Sequence, residues 1–163
     1  MRKIIAIGAA SAALIAAPAF AGTSSTQMPV TATVIDACTV AASPMAFGTL
    51  PVLGASNIDT TATVSLACTI GTSYSVGMDF GTHAAGGTQR FLQSSTDATQ
   101  TIPYEVYLDS ARTQVWNSSA GNVAIGVATS GTGSHTAYGR IPTSAGSVKA
   151  GSYSDSVTVT VTF

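Results

Sequence analysis

The chain has 163 residues and a formal net charge of −1, a length that fits one well-cored domain. Only 8% of its residues are charged, against roughly 25% in ordinary soluble domains, and Ser and Thr fill the polar positions instead. Six basic residues make no nucleic-acid surface, and the apolar residues recur at period two rather than at helical spacing.

Arg2 and Lys3 precede an apolar run from Ile4 to Ala17, and Ala19-Phe20-Ala21 offers small residues for cleavage. This is the pattern of an export signal over residues 1–21, too short for a span that needs about 20 apolar residues. Without Arg2 and Lys3, four basic residues face seven acidic ones. The mature chain is expected to start near Gly22 and to pass through an oxidising compartment.

Met28, Val30, Ala32 and Val34 alternate with polar neighbours and Pro29, while Ile35 and Asp36 break the parity. The pattern fits either an ordinary first strand or a separate N-terminal arm over residues 22–36, ahead of a domain at 37–163. Pro29 has no N–H to give a ladder, so strand pairing can begin only at Val30. Cys38 and Cys68 are the only cysteines. In an exported chain they read as one disulfide, the alternative being two buried thiols. Two thiols alone do not complete a metal site.

Ala62, Val64, Leu66, Cys68 and Ile70 share one face of a strand, and Tyr74, Val76, Met78 and Phe80 repeat the pattern after Gly71-Thr72-Ser73. The two segments are expected to form a hairpin. Residues 81–89 read as a loop, Tyr104, Val106 and Leu108 as a strand, and Val123, Ile125 and Val127 as another. A short strand is expected from Ala137 to Ile141. At the end, Val157, Val159, Val161 and Phe163 alternate with Thr158, Thr160 and Thr162, which places the first set toward a core. Short strands at this spacing favour an all-β, two-sheet sandwich.

Little in the sequence points to catalysis, and no cofactor is expected. His83 and His135 fall in expected loops without ligand spacing, and a Ser-His-Asp set assembled from so many serines carries no weight. Asp79, Asp109 and Asp155 sit near strand ends, as turn caps do, with Arg90 and Arg140 available for surface ion pairs. Asn117-Ser118-Ser119 matches a glycosylation pattern that means little in a bacterial-type export context. Tyr104, Tyr107, Trp116, Tyr138 and Tyr153 are expected mainly as packing residues.

Several pieces together resemble the spore coat protein U family, which includes subunits of archaic chaperone–usher pili. They are the Val30-to-Val34 arm before Cys38, Phe47-Gly48, Leu66-Ala67-Cys68-Thr69, Arg90, and Pro103-Tyr104-Glu105-Val106-Tyr107. Trp116, Tyr138-Gly139-Arg140-Ile141-Pro142 and Ala150-Gly151-Ser152-Tyr153-Ser154-Asp155 follow in order. The resemblance implies an incomplete immunoglobulin-like sandwich, completed by a donor strand from another subunit. It implies Met28, Val30, Ala32 and Val34 as the donor strand, and Val157, Val159, Val161 and Phe163 as the C-terminal strand beside the acceptor groove. The implied partners are identical or related pilin subunits, a periplasmic chaperone and an outer-membrane usher, in a surface pilus for attachment and biofilm formation. The alternatives are a secreted coat or matrix protein of the same fold and a small adhesin.

Overall fold

The computed structural model describes residues 20–50 and 53–163, so most of the expected export signal lies outside the described residues. The chain divides into two units, one ending at Thr33 and one running Val34–Phe163. In the first, residues 20–33 are exposed and contain no strand or helix. Among the described residues no helix is long and apolar enough to cross a membrane.

Among the described residues the second unit is an all-β sandwich of nine antiparallel-paired strands. In chain order they are β1 (Cys38–Ala42), β2 (Ile58–Cys68), β3 (Ser73–Met78), β4 (Arg90–Ser94), β5 (Thr101–Tyr107), β6 (Ala124–Val127), β7 (Thr132–Ile141), β8 (Tyr153–Ser154) and β9 (Val159–Thr162). One sheet has six strands in the order β1-β2-β7-β5-β4-β8, and the other has three in the order β6-β3-β9.

The spine of the larger sheet is β2, paired with β7 from Ile58↔Ile141 to Ala67↔Thr132. Ala62, Val64, Leu66 and Cys68 point into the core, while Thr61, Thr63, Ser65 and Ala67 face outward. That alternation is what a strand with one wet face requires. The expected strand stops at Cys68, however, and leaves Ile70 exposed in the following turn. Cys38 and Cys68 stand opposite each other in the β1–β2 ladder and form a disulfide. The bond staples the edge strand β1 to the spine.

The expected β2–β3 hairpin does not form. Both sides of β2 are taken, by β1 and β7, and the turn at Gly71 carries the chain across to the smaller sheet. There β3 pairs with β6 on one side and β9 on the other. The parity expected for β6 is also reversed. Its register sets Ala124 against buried Val76, so Ala124 points inward while Ile125 and Val127 turn to solvent beside Ser75 and Ser73. In an antiparallel ladder, paired residues share a face, and Val76 has claimed the inner one.

Two side chains bolt the layers together. Trp116 is fully buried and its indole N–H donates to the Val76 carbonyl at 2.8 Å. Arg90 was expected in a surface ion pair with an aspartate, yet it is fully buried. From β4 its guanidinium donates to the Asp79 carbonyl (3.0 Å) and the Trp116 carbonyl (2.8 Å), and it pairs with Glu105. Arg140 pairs instead with Asp59, at 2.7 and 2.8 Å on the outer face.

Removing one partner of a buried pair costs about 3–5 kcal/mol, because the other charge stays buried and unpaired. Arg90→Leu is therefore expected to destabilise the sandwich by about that amount. The double variant Arg90→Leu/Glu105→Leu should recover part of the loss in urea melts, which read both.

Candidate functional site

The C-terminal segment belongs to both sheets in turn. Tyr153 and Ser154 pair with β4 in the larger sheet, and after a crossover at residues 155–158 the chain joins β3 as β9. Among the described residues only one side of β9 is laddered. Across the seam lies β1, one edge strand of the larger sheet, adjacent to β9 but, among the described residues, not laddered to it. Val157, Val159 and Val161 pack against the core yet stay half-exposed, and Phe163, beyond the end of β9, is 57% exposed. An apolar edge left this open is a template for another strand.

Near Tyr153 the same unit opens into a cleft of about 850 Å³. Met45, Phe47 and Leu50 from the chain after β1 form one wall, and Leu92 and Ile102 lie among the residues of the sheet that line it. The opposite wall, residues 147–153, is pinned through Lys149, whose ammonium meets Asp97 at 2.8 Å and whose carbonyl accepts from the Tyr153 hydroxyl at 2.7 Å.

The crossover is held by two carboxylates. Asp155 lies on the inward parity of Tyr153, Val157 and Val159, and its side chain is buried. Its Oδ1 accepts from the Thr82 amide (2.9 Å) and hydroxyl (2.8 Å) and faces His83 Nδ1 at 3.0 Å. Its Oδ2 accepts from the Tyr104 hydroxyl at 2.7 Å. Asp79 Oδ1 accepts from the amides of Gly81 (2.9 Å) and Thr158 (2.8 Å). Gly81 has φ +80°, and a Cβ there would come within 2.0 Å of the Asp155 carboxylate, so the turn admits only glycine. Burial pushes both carboxyls up. The hydrogen bonds outweigh it, from Tyr104 and Thr82 at Asp155 and from Thr158 and Gly81 at Asp79, and both end below the ordinary aspartate value.

The structure also places the remaining sequence-level candidates. Met28 and Val30 are 81% and 83% exposed, Ala32 is exposed, and Val34, at the start of the sandwich unit, is 82% exposed. Just after it, Thr69 donates to the Ile35 carbonyl and Thr72 to the Asp36 carboxylate, both at 3.0 Å. Asp109 caps its loop through the Thr113 and Gln114 amides, at 2.9 and 2.8 Å. His135 lies on β7 rather than in a loop, within 3.2 Å of the Tyr74 hydroxyl. Tyr104 and Trp116 are core, whereas Tyr107, Tyr138 and Tyr153 are half-buried. Among the described residues no three His, Cys, Asp or Glu side chains gather as metal ligands would. The Asp155 cluster went unread in the sequence, although an acidic residue on an otherwise apolar parity was its visible signal.

A family model for the Spore Coat Protein U domain matches residues 24–160, from the exposed N-terminal segment to the middle of β9. The chain belongs to that family. Among solved structures, the domain is similar to a chain of the CsuC–CsuE chaperone–tip adhesion subunit pre-assembly complex from archaic chaperone–usher Csu pili of Acinetobacter baumannii. The TM-score is 0.59 at 23% identity, over 80% of this chain and 40% of that one. The likeness establishes an immunoglobulin-like fold for the Spore Coat Protein U domain. A weaker match, to a chain of a chaperone–tip adhesin complex of CFA/I fimbriae, has a TM-score of 0.42 at 12% identity, covering 67% and 36% of the two chains. No curated protein matches the sequence.

The carboxylate positions give a pH dependence. A depressed aspartate contributes stability above its unfolded value, about 3.9, and that contribution is lost as pH falls through the lower folded value. Glu105, which burial pushes up against the pull of Arg90, acts in the opposite sense. Comparison with Asp155→Asn isolates the aspartate: chemical denaturation from pH 7 to pH 2 should show a steeper acid loss for the wild-type domain than for the variant.

Proposed function

We propose that this Spore Coat Protein U domain protein is a structural subunit of a surface fibre that polymerises by strand addition. The exposed segment of one copy lies along the free edge of β9 in the next. Its alternating side chains fill the seam between β9 and β1. What carries the reading is the unpaired β9 edge, with Val157, Val159 and Val161 held half-buried against an open core.

The donor and acceptor match in chemistry. Val30, Ala32 and Val34, with Met28 before them, supply apolar plugs at period two, the period at which Val157, Val159 and Val161 line the acceptor. Burying Met28, Val30 and Val34 at about 1.5–3 kcal/mol each gives a gross gain of about 5–9 kcal/mol, from which ordering the segment subtracts. Backbone ladder bonds add affinity, beginning after Pro29. Phe163 marks the far end of the acceptor edge.

An exposed edge of this kind needs cover before assembly. In this reading a periplasmic chaperone occupies the seam first, an outer-membrane usher directs the exchange, and the product is a pilus used in attachment and biofilm formation. The pre-assembly complex of the Csu pili, with its chaperone and tip subunit, is the structural likeness that supports a chaperone partner.

Val30→Asp and Val34→Asp each place a charge where an apolar plug is needed, while leaving the sandwich core untouched. Each variant should remain folded and disulfide-bonded but fail to form polymers in size-exclusion chromatography. Polymers of wild-type size from both, or from a chain lacking residues 22–34, would favour a coat or matrix protein of the same fold.

A further inference from the structure

We propose that Asp79 and Asp155 are positioning residues for strand acceptance: their carboxylates clamp the 155–158 crossover to the 79–82 turn and thereby hold β9 ready for an incoming strand. The inference rests on the strand-addition reading above. It adds to that reading two acidic residues that lie outside both the donor segment and β9.

Between Ser154, the last residue of β8, and Val159, the first of β9, the chain changes sheets. The bonds that hold its backbone there come from one turn. Thr82 N–H donates to the Ser156 carbonyl at 3.1 Å, and Asp79 N–H donates to the Thr158 carbonyl at 3.0 Å. The Thr158 amide donates back to Asp79 Oδ1 at 2.8 Å. Asp155, buried among Thr82, His83 and Tyr104, fixes the start of the same four residues. Asp79 is in turn held by Arg90, whose guanidinium takes its carbonyl. The crossover is thus referenced to the bolt that joins the two sheets.

β9 itself is only four residues long and laddered on one side, to Ser75–Met78 of β3. A strand so short owes its direction largely to what precedes it. With the clamp released, β9 is free to leave β3 or pair out of register, and only the correctly placed fraction receives a donor. Apparent affinity then falls in proportion to that fraction, through the association rate, while dissociation of bound donor is unchanged.

The test uses the full-length chain in a Val30→Asp background, which keeps its β9 edge free of other copies, and an isotope-labelled synthetic peptide of residues 22–36 of the wild-type sequence, with uptake followed by native mass spectrometry and each variant compared with that parent. Asp79→Asn and Asp155→Asn are expected to slow association at least tenfold with dissociation unchanged. Thr82→Val, which keeps the carboxylate and removes one donor to it, should give an intermediate loss even if an Asn variant fails to fold. Asp59→Asn, in the outer-face pair with Arg140, should match the parent. Variants that melt at lower temperature but associate at the parent's rate overturn the positioning role alone. A Val30→Asp chain, otherwise unchanged, that takes up no peptide overturns the strand-addition reading and this inference with it.

Discussion

The structure turns on a ladder that is absent on one side of β9. Six strands face three, so the smaller sheet covers only part of the larger one, and its edge leaves Val157, Val159 and Val161 half in and half out of the core. Backbone groups on that edge have water for a partner while the side chains beneath them have only part of a core. A second strand satisfies both at once, which is why the edge reads as a place for assembly. The disulfide next to it fixes the frame of the seam by holding β1 to the spine.

Scarcity of charge gives each charged group a definite task. Outward positions on β2 carry Thr61, Thr63 and Ser65, hydroxyls that hydrate a strand without repelling a neighbour. Four of the charges sit at the joints. Arg90 joins the sheets, Glu105 balances it, and Asp79 and Asp155 join the crossover to the turn before it. Buried charges are costly unless every hydrogen-bonding position is met, and here the Arg90 fork and both Asp155 oxygens have partners. These groups specify where the layers meet more than they add net stability.

Much of this was legible from residue order alone. The period of two showed β2, β3, β5 and the C-terminal strand, and export chemistry pointed to the Cys38–Cys68 bond. Pairing was not legible, because alternation says which face is wet and nothing about which strand lies alongside. Hence Gly71 read as a hairpin turn when it is a crossing between sheets. The β6 face was misread for a related reason: Ile125 and Val127 outweigh Ala124 in hydrophobicity, but the register with β3 decides which one is buried. Arg90 and Asp155 were read as surface groups since a single charge in a sequence carries no sign of the donors and acceptors that fold around it. The alternation marked the segment before Cys38 as a strand or arm of its own, and only the family resemblance implied that it leaves its own domain.

The central claim is that the free edge of β9 accepts the Val30–Val34 segment of another copy. Amide hydrogen exchange across Val157–Phe163, measured on the isolated chain and again with the peptide of residues 22–36 bound, tests it most directly. The account predicts that β9 amides exchange readily in the isolated chain and become strongly protected on binding, while those of β2 change little. Unchanged exchange in β9, with protection appearing instead at β6 or on the outer face, would contradict it.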